Sequence, residues 1–153
     1  MKITDFLDAA MVIPDLKGGD KNTVLKEMAE WMASHDQSMD ARRLLEVLLE
    51  REKISSTAIG EGVAIPHGKM PSVQQVSAVF ARSSQGVDFD SLDGGTTHLF
   101  FLLIAPENSA ADHLKALARI SRLLKDTTFR ARLLNGKTRE EIFNAIKEED
   151  QKF

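Results

Sequence analysis

The 153 residues include no cysteine, so a disulfide framework and thiolate chemistry are excluded. No apolar run approaches the roughly 20 residues that a membrane-spanning helix needs. The opening Met1-Lys2-Ile3-Thr4-Asp5 lacks the apolar stretch of a signal peptide. Cytoplasmic residence is therefore expected. An excess of positive charge is also missing. Twenty Lys and Arg against 23 Asp and Glu leave a net charge of −3, and the pI is about 5.8. A nucleic-acid partner would call for a basic footprint, so none is expected. There is no internal repeat and no low-complexity stretch. The G-x-S-x-G elbow of a serine hydrolase is absent. So are the H-x-H and H-E-x-x-H spacings of common metal sites. What is present is 42% hydrophobic and 28% charged residues, the composition of a globular chain that can bury a core. One domain over residues 1–153 is expected.

Periodicity and punctuation divide the chain. Ile3–Ala10 is read as a short helix and Val12-Ile13 as an extended piece before Pro14. Asp20 or Asn22 caps a helix to about His35, with Val24, Leu25, Met28, Trp31 and Met32 on one apolar face. Asp40 caps a second helix to about Lys53, burying Leu44, Leu45, Val47, Leu48 and Leu49. Val76–Arg82 reads as a strand, Ser83–Gly86 as a turn and Val87–Phe89 as a short extended piece. His98–Ala105 is the most apolar run, and its length suits a strand buried on both faces. That strand requires helices on each side of the sheet. The fold class expected is α/β, a three-layer sandwich of a mixed sheet flanked by helices on both faces. Ser109-x-x-Asp112 resembles a capping box. It opens a helix over about Ala110–Lys125, with Leu114, Leu117, Ala118, Ile120, Ser121 and Leu124 inward. Asp126–Leu134 is a further helix. The last one opens at Lys137 or Thr138, turns Ile142, Phe143 and Ile146 inward, and frays over Glu148–Phe153.

One stretch carries chemistry. Ser55-Ser56-Thr57 supplies hydroxyls, Gly60-x-Gly62 a turn, and Val63-Ala64-Ile65 a short strand halted by Pro66. His67 follows, with Gly68 behind it allowing a tight bend. An imidazole held out at the end of a strand suits nucleophilic or proton chemistry near neutral pH. His113 falls in the first turn of its helix, where free N–H groups and the dipole favour an anion and disfavour an imidazolium. By spacing alone His113 is as well read as a helix-end residue bonded to a loop. By position alone Arg51 is an ordinary surface arginine. A zinc site from His67, His113 and Asp112 is a weaker alternative. His35 is read as an exposed helix-end residue, where the dipole favours a cation, and His98 as structural.

Arg51-Glu52-Lys53 followed by Ser56-Thr57-x-Ile59-Gly60-x-Gly62-x-Ala64-Ile65-Pro66-His67-Gly68-Lys69 resembles the active-site segment of a known family. These are the enzyme IIA domains of the bacterial phosphoenolpyruvate-dependent phosphotransferase system. The likeness is to the fructose/mannitol superfamily, and most closely to its nitrogen-related regulatory branch. It runs from Ile3-x-x-Phe6-Leu7 to the last helix. Ala58 departs from it, standing where such proteins often carry glycine, which argues against a positive φ there. The resemblance implies that His67 accepts a phosphoryl group from the phosphohistidine of an HPr-type carrier. It also implies that His113, in its His-Leu-x-x-Leu segment, stabilises that group. Arg51, Ser56 and Thr57 would then supply charge and hydroxyls to the new dianion. Phosphoryl transfer needs positioning and charge stabilisation rather than a metal, so no cofactor is expected.

In the regulatory branch, phosphorylation state governs binding to targets such as a potassium transporter or a sensor kinase. A free-standing fructose-type component passing phosphate to a IIB domain is the alternative within the family. A binding module of the same fold that no longer turns over phosphate is the alternative from another class. No attached IIB, IIC or HPr domain is expected in this length, and the partner surface around His67 is expected to be apolar with a charged rim.

Overall fold

The computed structural model describes residues 1–153. Its centre is the most apolar segment, strand β6 (Thr97–Pro106), in which every residue but His98 is buried. β5 (Ser77–Val87) lies antiparallel to it, with Phe80 opposite Phe101 and Val79 opposite Leu102. β1 (Val12–Ile13) pairs parallel with β5 at one edge. On the other side of β6 run β3 (Val63–Ala64) and β4 (His67–Met70), both parallel to it, and β2 (Ala58–Gly60) pairs antiparallel with β3. The result is a mixed six-stranded sheet.

Both faces of the sheet are apolar, and five helices cover them. α1 (Lys21–His35) and α2 (Ala41–Ile54) form a pair on one face. A Cβ added to Gly68 would lie 2.5 Å from Val47 of α2. α3 (Ala110–Leu124), α4 (Thr127–Asn135) and α5 (Arg139–Asp150) cover the other. On that side the Arg82 guanidinium donates to the carbonyls of Leu133 at 3.0 Å and of Gly136. Phe80 meets Phe101 edge-on at 5.1 Å, and Phe89 meets Phe100 at 5.4 Å, geometries favoured by the ring quadrupole. One continuous core of 44 buried apolar residues results, so the layers are held together by a single apolar cluster.

Aspartates cap three helices as their positions predict. Asp20 accepts from Thr23 N–H, Asp40 from Arg42 N–H and Asp126 from Phe129 N–H. Ser109 does not cap α3 with its side chain. The inward face of α3 is also rotated from the expected one. His113, Ala116, Ile120, Leu123 and Leu124 are buried, while Leu114 is 67% exposed. Leu114 and Leu117 at helical spacing point to the wrong phase there because His113 takes an inward position. The opening residues form two short 3-10 turns, Ile3–Asp5 and Ala9–Met11, rather than a helix. β5 continues through Ser83–Gly86, with an irregularity in its register beyond Arg82. Trp31 is only half-buried, its indole N–H reaching the Ala10 carbonyl at 2.9 Å. The end of α5 is anchored rather than frayed. Asp150 is buried and receives the Arg119 guanidinium at 2.8 Å.

Candidate functional site

The chain from Val63 to Met70 runs along β6 as one strand interrupted by a proline. Val63 faces Leu99 and His67 faces Leu103, so the register is the same on both sides of Pro66. The Pro66 carbonyl still accepts the Leu103 N–H at 2.9 Å. His67 therefore opens β4 part-way along the sheet edge, rather than hanging beyond the end of a strand. Gly68 does not have a positive φ. It is glycine because α2 leaves no room for a side chain: Val47 occupies the place of its Cβ. Positive φ values cluster instead in the β2–β3 turn, at Gly60, Glu61 and Gly62. There the Asp93 carboxylate accepts the Glu61 N–H at 3.1 Å. Ala58 lies in β2 without a positive φ, as its side chain requires.

His67 is half-buried and held at both nitrogens. Nδ1 lies 2.7 Å from the Ile65 carbonyl. A carbonyl only accepts, so Nδ1 carries the proton and Nε2 presents the lone pair. The Arg51 Nε–H donates to that Nε2 at 3.3 Å. Arg51 comes from the last turn of α2, and its Nη1 donates to the Ser55 carbonyl at 3.0 Å. Burial lowers the pKa of His67 below its ordinary 6.5, and the Arg51 charge lowers it further. The Ile65 hydrogen bond and the Glu52 carboxylate act in the opposite direction. The neutral ring prevails at neutral pH.

His113 stands edge-on to His67, ring centroids 5.5 Å apart and planes 74° from parallel. It is 7% exposed, and its Nε2 is buried with no hydrogen-bond partner. An orphaned ring nitrogen costs stability, and such exceptions call for an explanation. The pKa of His113 is lowered by burial first, then by the charges of His67 and Lys69. It too is neutral at neutral pH, with one N–H to give.

Three of the five residues singled out in the sequence thus meet: Arg51, His67 and His113. Ser56 and Thr57 do not donate toward them. The Ser56 hydroxyl donates to the Phe89 carbonyl at 2.6 Å and accepts the Ala58 N–H at 3.1 Å. The Thr57 hydroxyl donates to the Glu52 carboxylate, which also accepts the Thr57 N–H at 3.1 Å. Hydroxyls next to an anion site are drawn as readily to nearby carbonyls and carboxylates, and sequence spacing does not distinguish the two. Glu52 is the residue that spacing alone passes over. Its signal was burial at a helix position between charged neighbours, visible only in the fold. Three arginines of α3 and α4 are engaged in ion pairs, Arg119 with Asp150, Arg130 with Glu61 and Arg132 with Glu148.

Comparison with known proteins gives a consistent picture. Residues 5–149 match the family described as phosphoenolpyruvate-dependent sugar phosphotransferase system, EIIA 2. The chain is 43% identical over 146 residues to a nitrogen regulatory protein of Bradyrhizobium diazoefficiens, covering 95% of each. It is 38% identical over 151 residues to a fructose-specific EIIABC component of Bacillus subtilis, spanning 99% of this chain but only 24% of that much longer protein. The crystal structure of the nitrogen regulatory protein IIA-Ntr from Neisseria meningitidis superposes with a TM-score of 0.88 at 30% identity, covering 94% of this chain and 98% of that one. The IIA mannitol structure from Escherichia coli gives 0.77 at 22% identity, a likeness of fold. No helix is long and apolar enough to cross a membrane. A match over nearly the whole chain, joined to relatives above 30% identity, establishes that the chain belongs to the EIIA 2 family of the phosphoenolpyruvate-dependent phosphotransferase system.

Proposed function

We propose that this chain is a phosphohistidine carrier of the regulatory kind, taking a phosphoryl group on Nε2 of His67 from the phosphohistidine of an HPr-type protein. One observation carries the reading: the buried, unpartnered Nε2 of His113 beside a histidine whose own Nε2 presents its lone pair. In the transfer the Nε2 lone pair of His67 forms the new N–P bond as the N–P bond to the donor ring breaks. The bonding electrons return to the donor nitrogen. His67 keeps its Nδ1 proton throughout, so no base is needed, and the Ile65 carbonyl stabilises the positive charge that develops on the ring. Arg51 moves its N–H from the lone pair to the phosphoryl oxygens, where a guanidinium binds more strongly. His113 gives its free N–H to the same group. A neutral donor there adds a hydrogen bond without the cost of a second buried cation.

Docking needs apolar surface near the phosphorus. Ile54, one turn beyond Arg51, is 80% exposed, and Leu114, next to His113, is 67% exposed. Large apolar side chains left in water beside a reactive ring fit a protein partner, the HPr-type donor and then a regulatory target. The likeness to nitrogen regulatory proteins along the whole chain favours a regulatory output, such as binding a potassium transporter or sensor kinase. The likeness to the fructose-specific component supports the second reading, passage of the phosphate to a IIB domain.

The test is labelling from phosphoenolpyruvate through enzyme I and HPr. Acid-labile, base-stable label on wild type and none on His67→Ala is expected. Label persisting in that variant would move the acceptor elsewhere. Transfer of the label to a IIB domain as fast as its receipt from HPr would favour the sugar-transport reading.

A further inference from the structure

Glu52 is buried, its side chain 4% exposed, yet it lies one residue from Arg51 on the last turn of α2. Successive helix residues point about 100° apart, so Arg51 turns to His67 while Glu52 turns beneath the loop that follows. Its carboxylate is fully engaged. It accepts both the N–H and the hydroxyl of Thr57, and the Lys21 ammonium at 2.9 Å. Lys21 opens α1 and also lies 3.4 Å from Asp90 and 4.8 Å from the Phe89 ring centroid. A charge is seldom buried this deeply unless it is paired and hydrogen-bonded, and here it is both.

Two paths lead from this carboxylate to the reacting ring. The Thr57 carbonyl accepts the Ile65 N–H at 3.1 Å, and the Ile65 carbonyl holds His67 Nδ1 at 2.7 Å. The Ser55 carbonyl, two residues before Thr57, holds Arg51 Nη1 at 3.0 Å and so aims Nε at His67. Fixing Thr57 at two atoms therefore fixes the carbonyl that sets the imidazole tautomer and the carbonyl that sets the arginine.

We infer that Glu52, neutralised by Lys21, is a positioning residue that clamps Thr57 and thereby holds both His67 and Arg51 in the geometry for phosphoryl transfer. This rests on the phosphocarrier reading above for its functional consequence, but not for its structural one. Glu52 lies beneath the loop and touches neither a partner nor phosphate. It acts through Thr57.

The test compares Glu52→Ala and Glu52→Gln with wild type, after thermal melts show that each is folded. Glutamine keeps both Thr57 contacts, its carbonyl accepting the N–H and its amide donating to the hydroxyl oxygen. Alanine keeps neither. Phosphorylated HPr is the donor, and kcat and KM are read separately. The alanine variant is expected to lose about 10- to 100-fold in kcat with KM unchanged, since the misplacement is at the reacting atoms and not at the docking surface. The glutamine variant is expected to recover most of that loss. Nitrogen-15 spectra of the imidazoles provide a readout that needs no phosphate. Wild type and the glutamine variant should show His67 as the Nδ1–H tautomer, and the alanine variant a mixture.

An alanine variant with wild-type kcat and tautomer would overturn the inference. A glutamine variant as slow as alanine would overturn it too, by making charge rather than position the cause. Absence of label on wild type would sink the phosphocarrier reading, while the tautomer comparison would still decide the role of Glu52. If Glu52→Ala does not fold, Thr57→Val removes the hydroxyl half of the clamp, and the same loss of kcat and tautomer is required of it.

Discussion

His98 and His113 occupy different settings. His98 is the half-buried residue of β6, His113 is buried at the start of α3, and they differ in what their nitrogens meet. His98 Nδ1 lies 2.8 Å from the Ser83 carbonyl and its Nε2 3.2 Å from the Thr96 hydroxyl, so both are used inside the fold. A Cβ on Gly86 would come within 2.8 Å of that ring, so a glycine makes room for it. His113 Nε2 meets nothing. A fully bonded histidine is a strut. One with a buried unpartnered nitrogen beside a second histidine carries a cost in stability, which the proposed function explains as a donor held for the phosphoryl group. Burial does not show which ring keeps a free nitrogen, whereas the hydrogen-bond partners do.

The sharpest break of this comparison is at His67. His67→Ala is expected to abolish phosphoryl acceptance while the melting temperature stays near wild type; retained labelling would undo the assignment of both histidines. His113→Ala comes next. It should slow transfer by about 100-fold, as loss of one preorganised donor does elsewhere. Its stability should change by less than about 1 kcal/mol, because the lost packing is offset by removal of an unpartnered polar atom. His98→Ala should do the reverse, costing about 1–3 kcal/mol in denaturant melts with labelling unchanged, since the Ser83 carbonyl loses its donor. If the two alanine variants behaved alike, the distinction drawn here would fail.

A related contrast concerns glycine. Gly68→Ala should cost about 1–3 kcal/mol by forcing Val47 and α2 away from β4. It should also slow transfer, because Arg51 rides on α2. Gly94, with open space around its missing Cβ but a φ of +75°, should lose stability from backbone strain alone and leave the transfer rate unaffected.

The smallest expected effect is in pH. His67 and His113 have folded pKa values below the ordinary 6.5. A lowered histidine pKa means that the unfolded chain binds protons more readily than the folded one as the pH falls. The two histidines therefore add stability that is complete above about pH 6.5 and is lost as pH drops through their lowered values. Acceptance of phosphate should fall over the same range, because a protonated Nε2 has no lone pair. A rate midpoint at or above the ordinary histidine value would contradict the burial argument. His67→Ala should remove its share of the stability change.

The elements were legible in the sequence wherever one physical signal dominated. β6 reads as a buried strand because nearly every residue is apolar, and Asp20, Asp40 and Asp126 mark helix starts because a carboxylate satisfies free N–H groups. The stretch Pro66-His67-Gly68 also marks, in the sequence, the strand beside β6 that carries His67. The sequence was misleading where two signals competed. The apolar spacing of α3 points Leu114 inward, yet His113 takes that place and leaves Leu114 in water. Gly68 reads as a bend and is instead a contact with a helix 21 residues earlier in the chain.

The chain itself thus determined composition, element order, the family to which it belongs and the histidine at the edge of the sheet. These follow from local pattern, which the order of residues carries directly. The tertiary structure decided which groups meet. The hydroxyls of Ser56 and Thr57 turn to Phe89 and Glu52 rather than to His67, and a buried carboxylate supports the loop from below. Those outcomes depend on directions of hydrogen bonds between segments distant in sequence. Such directions are fixed only when the layers pack and every buried donor must find, or fail to find, a partner.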